Sequence, residues 1–538
     1  MERRRHQSDY LPGAALTLDR RQLLRLSALG AAALGVGGLA ACSDDASPDG
    51  GDAGTLPKTL TIAVPEEQAG FDSDIAGGTY NITDHIFDPL VIVDPTNKII
   101  PWLALSWENP DDRTWRFKLR EGVTFSNGEP FDATAVKYSL ERIVDPSIKG
   151  ITASRWKSYG HFDHVEVVDA HTVDVKTTAP TPLMLPLLTR FNMRPPKYYA
   201  STPLDKLREA PIGSGPYTLA AWDRAEQRVE LAANPTYWAG APAVETLVWR
   251  VIPEADTRIS ELVTGGVQIC QAILPDQIAQ VETDSTQVSQ VDGGRIVSIT
   301  MATDNPSLPT SNVKVRQAMN YAANVDAVCA SLLGGTTKPY GGPITEPNND
   351  PSLSPYANDL AKAKQLMAEA GYAGGFTIDM DTCTDRYLKD VEVVQAVAQN
   401  LGQIGITVNI KTWDWTTYLK RLQEGPRAPM YLLGQGGFDD SFEELSRVFD
   451  VRSAIYKGSG WRNPDFGANL DRAAQTIDPK QHLDDLWAAQ RILWDEAPAI
   501  FMYHEPVLFG VQKGLPWKAR KSERILLHWT VIPALRPA

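Results

Sequence analysis

The sequence predicts a large α/β protein built as two lobes, and three observations carry that expectation. The chain has 538 residues, more than a single core usually spans. Strand-like alternation recurs in its first half. Around position 300 the texture changes to helices alternating with strands, the pattern of a sheet covered by helices. Apolar content of 43% and charged content of 22% are ordinary for a globular protein.

Each element follows from local pattern. Alternation of apolar and polar residues marks strands at Thr59–Val64, Thr114–Arg120 and His164–Thr177. In "DATAVKYSLERIV" Asp132 can cap a helix whose Ala135, Val136, Leu140 and Ile143 share one face. "SNVKVRQAMNYAANVDAVCASLLGG" reads as one long helix, capped by Ser311 or Asn312 and stopped at Gly334-Gly335. A second helix starts at Asn358 or Asp359 and ends at Gly371. Then follow a strand in "GFTIDMDT", a helix over Tyr387–Gln403 and a strand in "GITVNIKTW". "APAIFMYHEPVLFGVQ" returns to strand-like alternation.

By its chemistry the N-terminus reads as an export signal, with an uncleaved apolar anchor as the alternative. Arg20 and Arg21 precede Leu23, Leu24 and Arg25, and an Ala/Gly-rich apolar run from Leu26 to Ala41 stops at Cys42. That run is short for a membrane span. The pattern resembles a twin-arginine signal joined to a lipoprotein box, Leu39-Ala40-Ala41-Cys42, which implies cleavage before Cys42 and lipidation of its thiol. Residues 1–42 hold six arginines and three acids, so their removal carries the net charge from −14 to −17. Such acidity argues against a nucleic-acid partner. Residues 43–57, rich in Asp, Gly, Ala and Pro, read as a flexible tether. Cys270, Cys329 and Cys383 remain, an odd number without CxxC spacing, and read as buried thiols.

Motifs for catalysis and metals are weak. "HFDH" sets His161 and His164 at a spacing that could share a metal, but no third ligand lies nearby. "PIGSGPY" lacks the lysine of a phosphate loop and the frame of a nucleophile elbow, so it reads as a tight turn. "FDDSFEEL" lacks calcium-loop spacing. No cofactor or metal is expected, and no motif singles out a catalytic site; a secreted lipoprotein hydrolase is the alternative from another class.

Several long stretches resemble, in order, the extracytoplasmic solute-binding proteins of ABC importers, in the peptide/nickel/opine family. "LVIVDPTNKIIPWLALSWENPDDRTWRFKLREGVTFSNGEPFDATAVKYSLERIVDP" carries LA-x-SW and F-x-LR-x-GV-x-F-x-x-G-x-P-F. "PIGSGPYTLAAW" with "LAANPTYWAGAP", the helix "VKVRQAMNYAANVDAV" and "ITVNIKTWDWTTYLKRLQEG" continue the match. The resemblance runs from about Leu60 to Leu515. It implies a two-lobed periplasmic-binding-protein fold of type II, in its large cluster with an extra subdomain, with the ligand cleft between lobes. Lobe 1 would comprise residues 58–295 and 503–538, and lobe 2 residues 296–502. It also implies a monomer, tethered by lipid to the outer face of the membrane, that delivers ligand to permease subunits driven by separate ATPases. Peptides are the expected ligand; oligosaccharide, opine-like or nickel ligands are the alternatives.

The resemblance also marks candidate binding residues. In peptide-binding members a W-x-x-x-x-x-D-P stretch precedes an L-F pair, and its aspartate holds the ligand's α-ammonium. Counting back from Val448-Phe449 puts Asp440 at that aspartate, with Asp439 beside it and Gly437 and Phe438 just ahead. The proline position is Ser441 and the tryptophan position is Gly434. The missing indole is expected to open space in the cleft. Trp413, Trp415, Trp461 and Tyr387 are candidate aromatic platforms or core packing. Gly213, Ser214 and Gly215 are candidates for the pocket, or simply shape a turn.

Overall fold

The computed structural model describes residues 56–536 apart from 67–69, 73, 75–79, 149–152, 154, 155, 158, 345–347, 437–439 and 453–458. The signal segment with Cys42, and the candidates Gly437, Phe438 and Asp439, lie outside the described residues.

The strands of the first half are β1 (Thr59–Val64), β2 (Val91–Val93), β3 (Ile99–Pro101), β4 (Ala104–Asp111), β5 (Thr114–Leu119), β6 (Phe162–Asp169), β7 (Thr172–Thr177), β8 (Tyr217–Asp223), β9 (Arg228–Ala233), β10 (Thr246–Val251) and β11 (Ile269–Cys270). Those of the second half are β12 (Thr286–Met301), β13 (Phe376–Cys383), β14 (Ile406–Trp413), β15 (Met430–Gln435) and β16 (Ala499–Gln512). Ten of them form one sheet in the order β14-β13-β15-β12-β16-β11-β1-β10-β9-β8. A four-stranded sheet, β4-β5-β7-β6, and the ribbon β2-β3 stand apart from it.

The long antiparallel pair β12 and β16 runs through the middle, from Thr286 opposite Gln512 to Thr300 opposite Ala499. Its register breaks between Asp292 and Ile296, where Gly293, Gly294 and Arg295 intervene. Before the break β16 pairs with β11; beyond it β12 pairs with β15. The apolar cores divide at the same place. One gathers residues from Leu60 to Ile269 and from Phe509 to Ile532, and another runs from Ile296 to Tyr503. A β-bulge between two strand segments with different neighbours lets each half follow its own sheet.

Helix α1 (Tyr80–Ile86) precedes β2, and α2 (Ala133–Val144) starts at Asp132, whose carboxylate accepts from the N–H groups of Thr134 and Ala135. Its Ala135, Val136, Leu140 and Ile143 are buried, as their spacing requires. The single long helix expected after position 311 is two: α3 (Val313–Ala322), capped by Asn312, and α4 (Val325–Leu332). Asn324 between them takes a left-handed conformation, φ +51°, which asparagine tolerates better than most residues and which ends a helix. Likewise the segment read as one strand over 164–177 is the hairpin of β6 and β7.

Further along come α5 (Leu360–Glu369) with Asp359 as cap, α6 (Asp390–Gly402), α7 (Trp415–Glu424) with Asp414 as cap, α8 (Ser441–Phe449), α9 (Pro464–Ala473) and α10 (Pro479–Glu496). The helix expected from Tyr387 begins later, because Lys389 has φ +50°. Among the described residues no helix is long and apolar enough to cross a membrane.

Candidate ligand-binding site

Strand β15 carries Gly434 alongside β12, opposite Val297. The chain then passes through residues 437–439 and re-emerges at Asp440, which caps α8. Its Oδ1 accepts from the Phe442 N–H at 2.7 Å, filling one of the open donors of the first turn. The same oxygen lies 3.4 Å from His482 Nε2, near the start of α10. The two side chains are only 18% and 11% exposed. Oδ2 of Asp440 has no partner among the described residues.

Tyr387 lies across Gly434. Its hydroxyl donates to the Gly434 carbonyl at 3.2 Å, and a Cβ at position 434 would stand 2.5 Å from the ring's Cε1. The vacancy expected from the missing indole is therefore corrected: a side chain from a different strand–helix connection fills the space beside that backbone. The Tyr387 ring meets Trp415 edge to face at 6.1 Å, and the Arg386 guanidinium stacks over Trp415 at 5.0 Å. Arg386 is exposed and has no ion-pair partner among the described residues. On the other side, Arg295 at the register break pairs with the buried Glu505, which also accepts from the Leu388 N–H at 2.7 Å. Burial opposes the charge on Arg295, but Glu505 and Glu523 outweigh it and raise its pKa. One buried ion pair thus joins β12, β16 and the Tyr387 loop.

The other candidates are placed differently. Trp413 ends β14 and donates to Asp381 at 2.9 Å, with the Arg421 guanidinium 4.1 Å above its ring. Asp381 also holds Arg421 and the Ala428 N–H, each at 2.9 Å, so Trp413 braces a sheet end. Trp461 is buried and donates to Glu496 at 2.8 Å. Gly213, Ser214 and Gly215 press against the end of α1. A Cβ at 213 would stand 2.0 Å from the Ile86 carbonyl oxygen, and one at 215 would stand 2.5 Å from the Ile86 carbonyl carbon. Ser214 points inward to Asp88 at 2.9 Å.

Asp88 joins these motifs in space. Its fully buried carboxylate accepts from Trp102 Nε1 at 2.7 Å, the Tyr237 hydroxyl at 2.9 Å, Ser214 Oγ at 2.9 Å and Trp238 Nε1 at 3.1 Å. Burial pushes its carboxyl up to about 6, although the four donors pull the other way. The first tryptophan of "PWLALSW", the serine of "GSGPY" and the YW of "PTYW" are thus spokes of one polar hub that ties the first half together.

The two halves touch close to Asp440. The Phe442 ring meets Tyr159 edge to face at 6.2 Å, and Phe442 packs against both large cores. Ile477 also packs on the first core, and Lys389 pairs with Asp276 at 3.2 Å. Two clusters thus form: Asp440 with His482 beside the Phe442–Tyr159 contact, and Tyr387 with Trp415, Arg386 and Arg295 around Gly434. His482, Arg295, Arg386 and Asp88 did not stand out in the sequence. The paired glycines before Arg295, Gly293 and Gly294, are the signal that could have marked it.

Comparisons with known proteins agree on one family. The family model for bacterial extracellular solute-binding proteins, family 5, matches residues 98–450. A glutathione-binding protein, GsiB, of Pectobacterium atrosepticum is 29% identical over 85% of this chain and 91% of its own length. The dipeptide-binding protein of Escherichia coli is 28% identical over the same shares. Among solved structures, HbpA2 of Haemophilus parasuis superposes with a TM-score of 0.79 at 23% identity, over 87% of this chain and 98% of that one. DppA of Helicobacter pylori, in complex with the peptide STSA, gives 0.70 at 24% identity, over 88% and 97%. These neighbours share the type II two-lobed α/β fold. With its model matched over most of the chain and its fold shared, this protein belongs to the bacterial extracellular solute-binding proteins, family 5, which bind solutes for ABC transporters and are not enzymes.

Proposed function

We propose that this chain is the peptide-capturing component of an ABC importer, held outside the cell membrane by a lipid on Cys42 after export through residues 1–42. It works as a monomer, with residues 58–295 and 503–538 as one lobe and 296–502 as the other, and passes its ligand to permease subunits. The observation that carries the peptide reading is Asp440. It is a carboxylate screened from water, fixed by its cap bond, with Oδ2 left for an outside donor. A peptide's α-ammonium suits that oxygen. The half-buried Trp415 ring, backed by Tyr387, can line the backbone, and the exposed Arg386 is available for a ligand carboxylate. Relatives named for dipeptides and glutathione support this choice of ligand class.

The position of Phe442, two residues beyond Asp440 and in contact with Tyr159, supports capture by lobe closure. A ligand held on Asp440 and contacting the first lobe beside Phe442 favours the closed form, and such a differential contact shifts the open–closed balance. The test is titration calorimetry of the processed protein with a dipeptide panel and its N-acetylated counterparts. Asp440→Asn, which leaves the ammonium without its charge partner, is expected to weaken binding at least about thirtyfold, and N-acetylation similarly. Equal affinity of wild type and variant would sink the ammonium reading.

A further inference from the structure

The histidine facing Asp440 is held in one tautomer. His482 Nδ1 lies 2.8 Å from the Ala473 carbonyl oxygen, which can only accept, so Nδ1 carries a proton. Nε2 therefore points at Asp440 Oδ1 either as the second N–H of an imidazolium or as a bare lone pair. A lone pair against a carboxylate repels, so without a ligand the imidazolium is the favoured form. When a third group with two N–H donors enters, the same atoms become a pair of acceptors.

We propose that His482 is a specificity-determining residue that serves as Asp440's resident counter-ion and gives up its Nε2 proton to water when a ligand's ammonium takes the carboxylate. The proposal rests on the reading of Asp440 as the ammonium partner. Before binding, the site holds His482 as imidazolium and Asp440 as carboxylate. Afterwards it holds neutral His482, protonated at Nδ1, with the ligand's –NH3⁺ donating one N–H to Asp440 and one to Nε2. One proton leaves and one ammonium enters, so the charge within the site is conserved. Keeping imidazolium and ammonium together beside one partly buried carboxylate would instead add an unmatched positive charge. An amine with at least two N–H donors satisfies both acceptors, whereas a quaternary ammonium satisfies neither.

The surrounding charges favour a resident cation. Burial opposes charge on His482, but Asp440, the Ala473 carbonyl and Asp485 outweigh it and raise its pKa above the ordinary value. Asp485 lies on the same helix and is paired with Arg472 of α9 at 3.1 Å. Asp478, the cap of α10, accepts the His482 N–H through its carbonyl. On α8 the charged residues besides the capping Asp440 are Glu443, Glu444 and Arg447, all engaged with partners of their own.

The experiment has two arms. In ligand-free protein with ¹⁵N-labelled histidine, the His482 ring is expected to show a protonated Nδ1 throughout. Its titration should lie above the ordinary histidine value and fall in Asp440→Asn. A neutral form protonated at Nε2, or a titration unmoved by Asp440→Asn, overturns the proposal without any ligand. In the second arm, Ala-Ala binding is measured near pH 6 in phosphate and in Bis-Tris, whose ionisation enthalpies differ. Wild type is expected to release close to one proton per peptide, with affinity rising up to tenfold per pH unit below the His482 pKa. His482→Gln should release none and show a flat profile there, and an N-trimethylated peptide should bind wild type at least tenfold more weakly than Ala-Ala. Binding that Asp440→Asn leaves intact overturns the ammonium reading itself. Binding lost in Asp440→Asn, but with proton release unchanged in His482→Gln, overturns the role of His482 alone.

Discussion

Replacing Gly434 by alanine adds one methyl group to β15, and the structure says what it meets. The new Cβ would stand 2.5 Å from Tyr387 Cε1, 2.7 Å from Cδ1 and 3.0 Å from Cζ. Carbon atoms in contact prefer about 3.5–4 Å, so the ring would have to withdraw by about 1 Å. It has little room to do so. The Tyr387 N–H and the Arg386 N–H both donate to Asp390, the hydroxyl holds Gly434, and Trp415 backs the ring. Overpacking of this kind costs about 1–3 kcal/mol, and the lost hydroxyl bond adds about 1 kcal/mol. The expected total for Gly434→Ala is therefore about 2–4 kcal/mol. In a Tyr387→Ala background the obstruction is gone, and alanine should be favoured over glycine in a strand by about 0.5–1 kcal/mol. The assay is a double-mutant cycle by equilibrium urea denaturation. Melting temperature is a poor readout, because a chain this large shifts only about 1 °C per kcal/mol. A coupling of about 2.5–5 kcal/mol is expected, the difference between the two backgrounds. Additivity of the two substitutions within about 0.5 kcal/mol would refute the close contact, and so would a neutral Gly434→Ala in the wild-type background.

Three further outcomes follow from buried groups. Asp88→Ala orphans two indole N–H groups and two hydroxyls and is expected to cost about 3–5 kcal/mol or prevent folding; a loss below 1 kcal/mol in urea would contradict the hub. Cys270, Cys329 and Cys383 are free and buried, and burial pushes their thiols up to about 11, 12 and 12. They should resist a thiol reagent in the native protein and all react in denaturant, and fast native reaction would count against this burial. His85 and His504 are held down to about 3 by burial, so the unfolded chain binds more protons than the folded one between about pH 6.5 and 3. Stability should therefore fall as the pH drops through that window, by about 1.4 kcal/mol per pH unit for each histidine. His504→Gln should make the slope shallower by about that amount, and parallel slopes would refute the assignment.

Local pattern made many elements legible. β1 spans the residues its alternation marks, α2 begins at the aspartate that caps it, and β13, β14 and β16 lie where apolar residues cluster. Where local pattern misled, a backbone conformation intervened: Asn324 and Lys389 at positive φ cut helices that periodicity alone would continue. The candidate site was legible only in part. Asp440 could be singled out by its offset from Val448-Phe449, but its cap bond and its histidine partner could not, since His482 is 42 residues away. Trp413 and Trp461 looked like possible platforms because an indole's sequence neighbours do not reveal where its N–H finds an acceptor.

What this sequence determined by itself is whatever depends on neighbours a few residues apart: the strands, the helix caps, the long signature stretches and hence the family. What the tertiary structure decided is which distant residues share a surface. It set Tyr387 over Gly434, joined Arg295 to Glu505 at the register break, and placed Ser214 on Asp88 across 126 residues. The physical reason is range. Capping bonds and periodic burial act over one or two turns, whereas charge pairing and ring packing at the border of two lobes arise only after the sheet order has brought remote segments within a few ångströms.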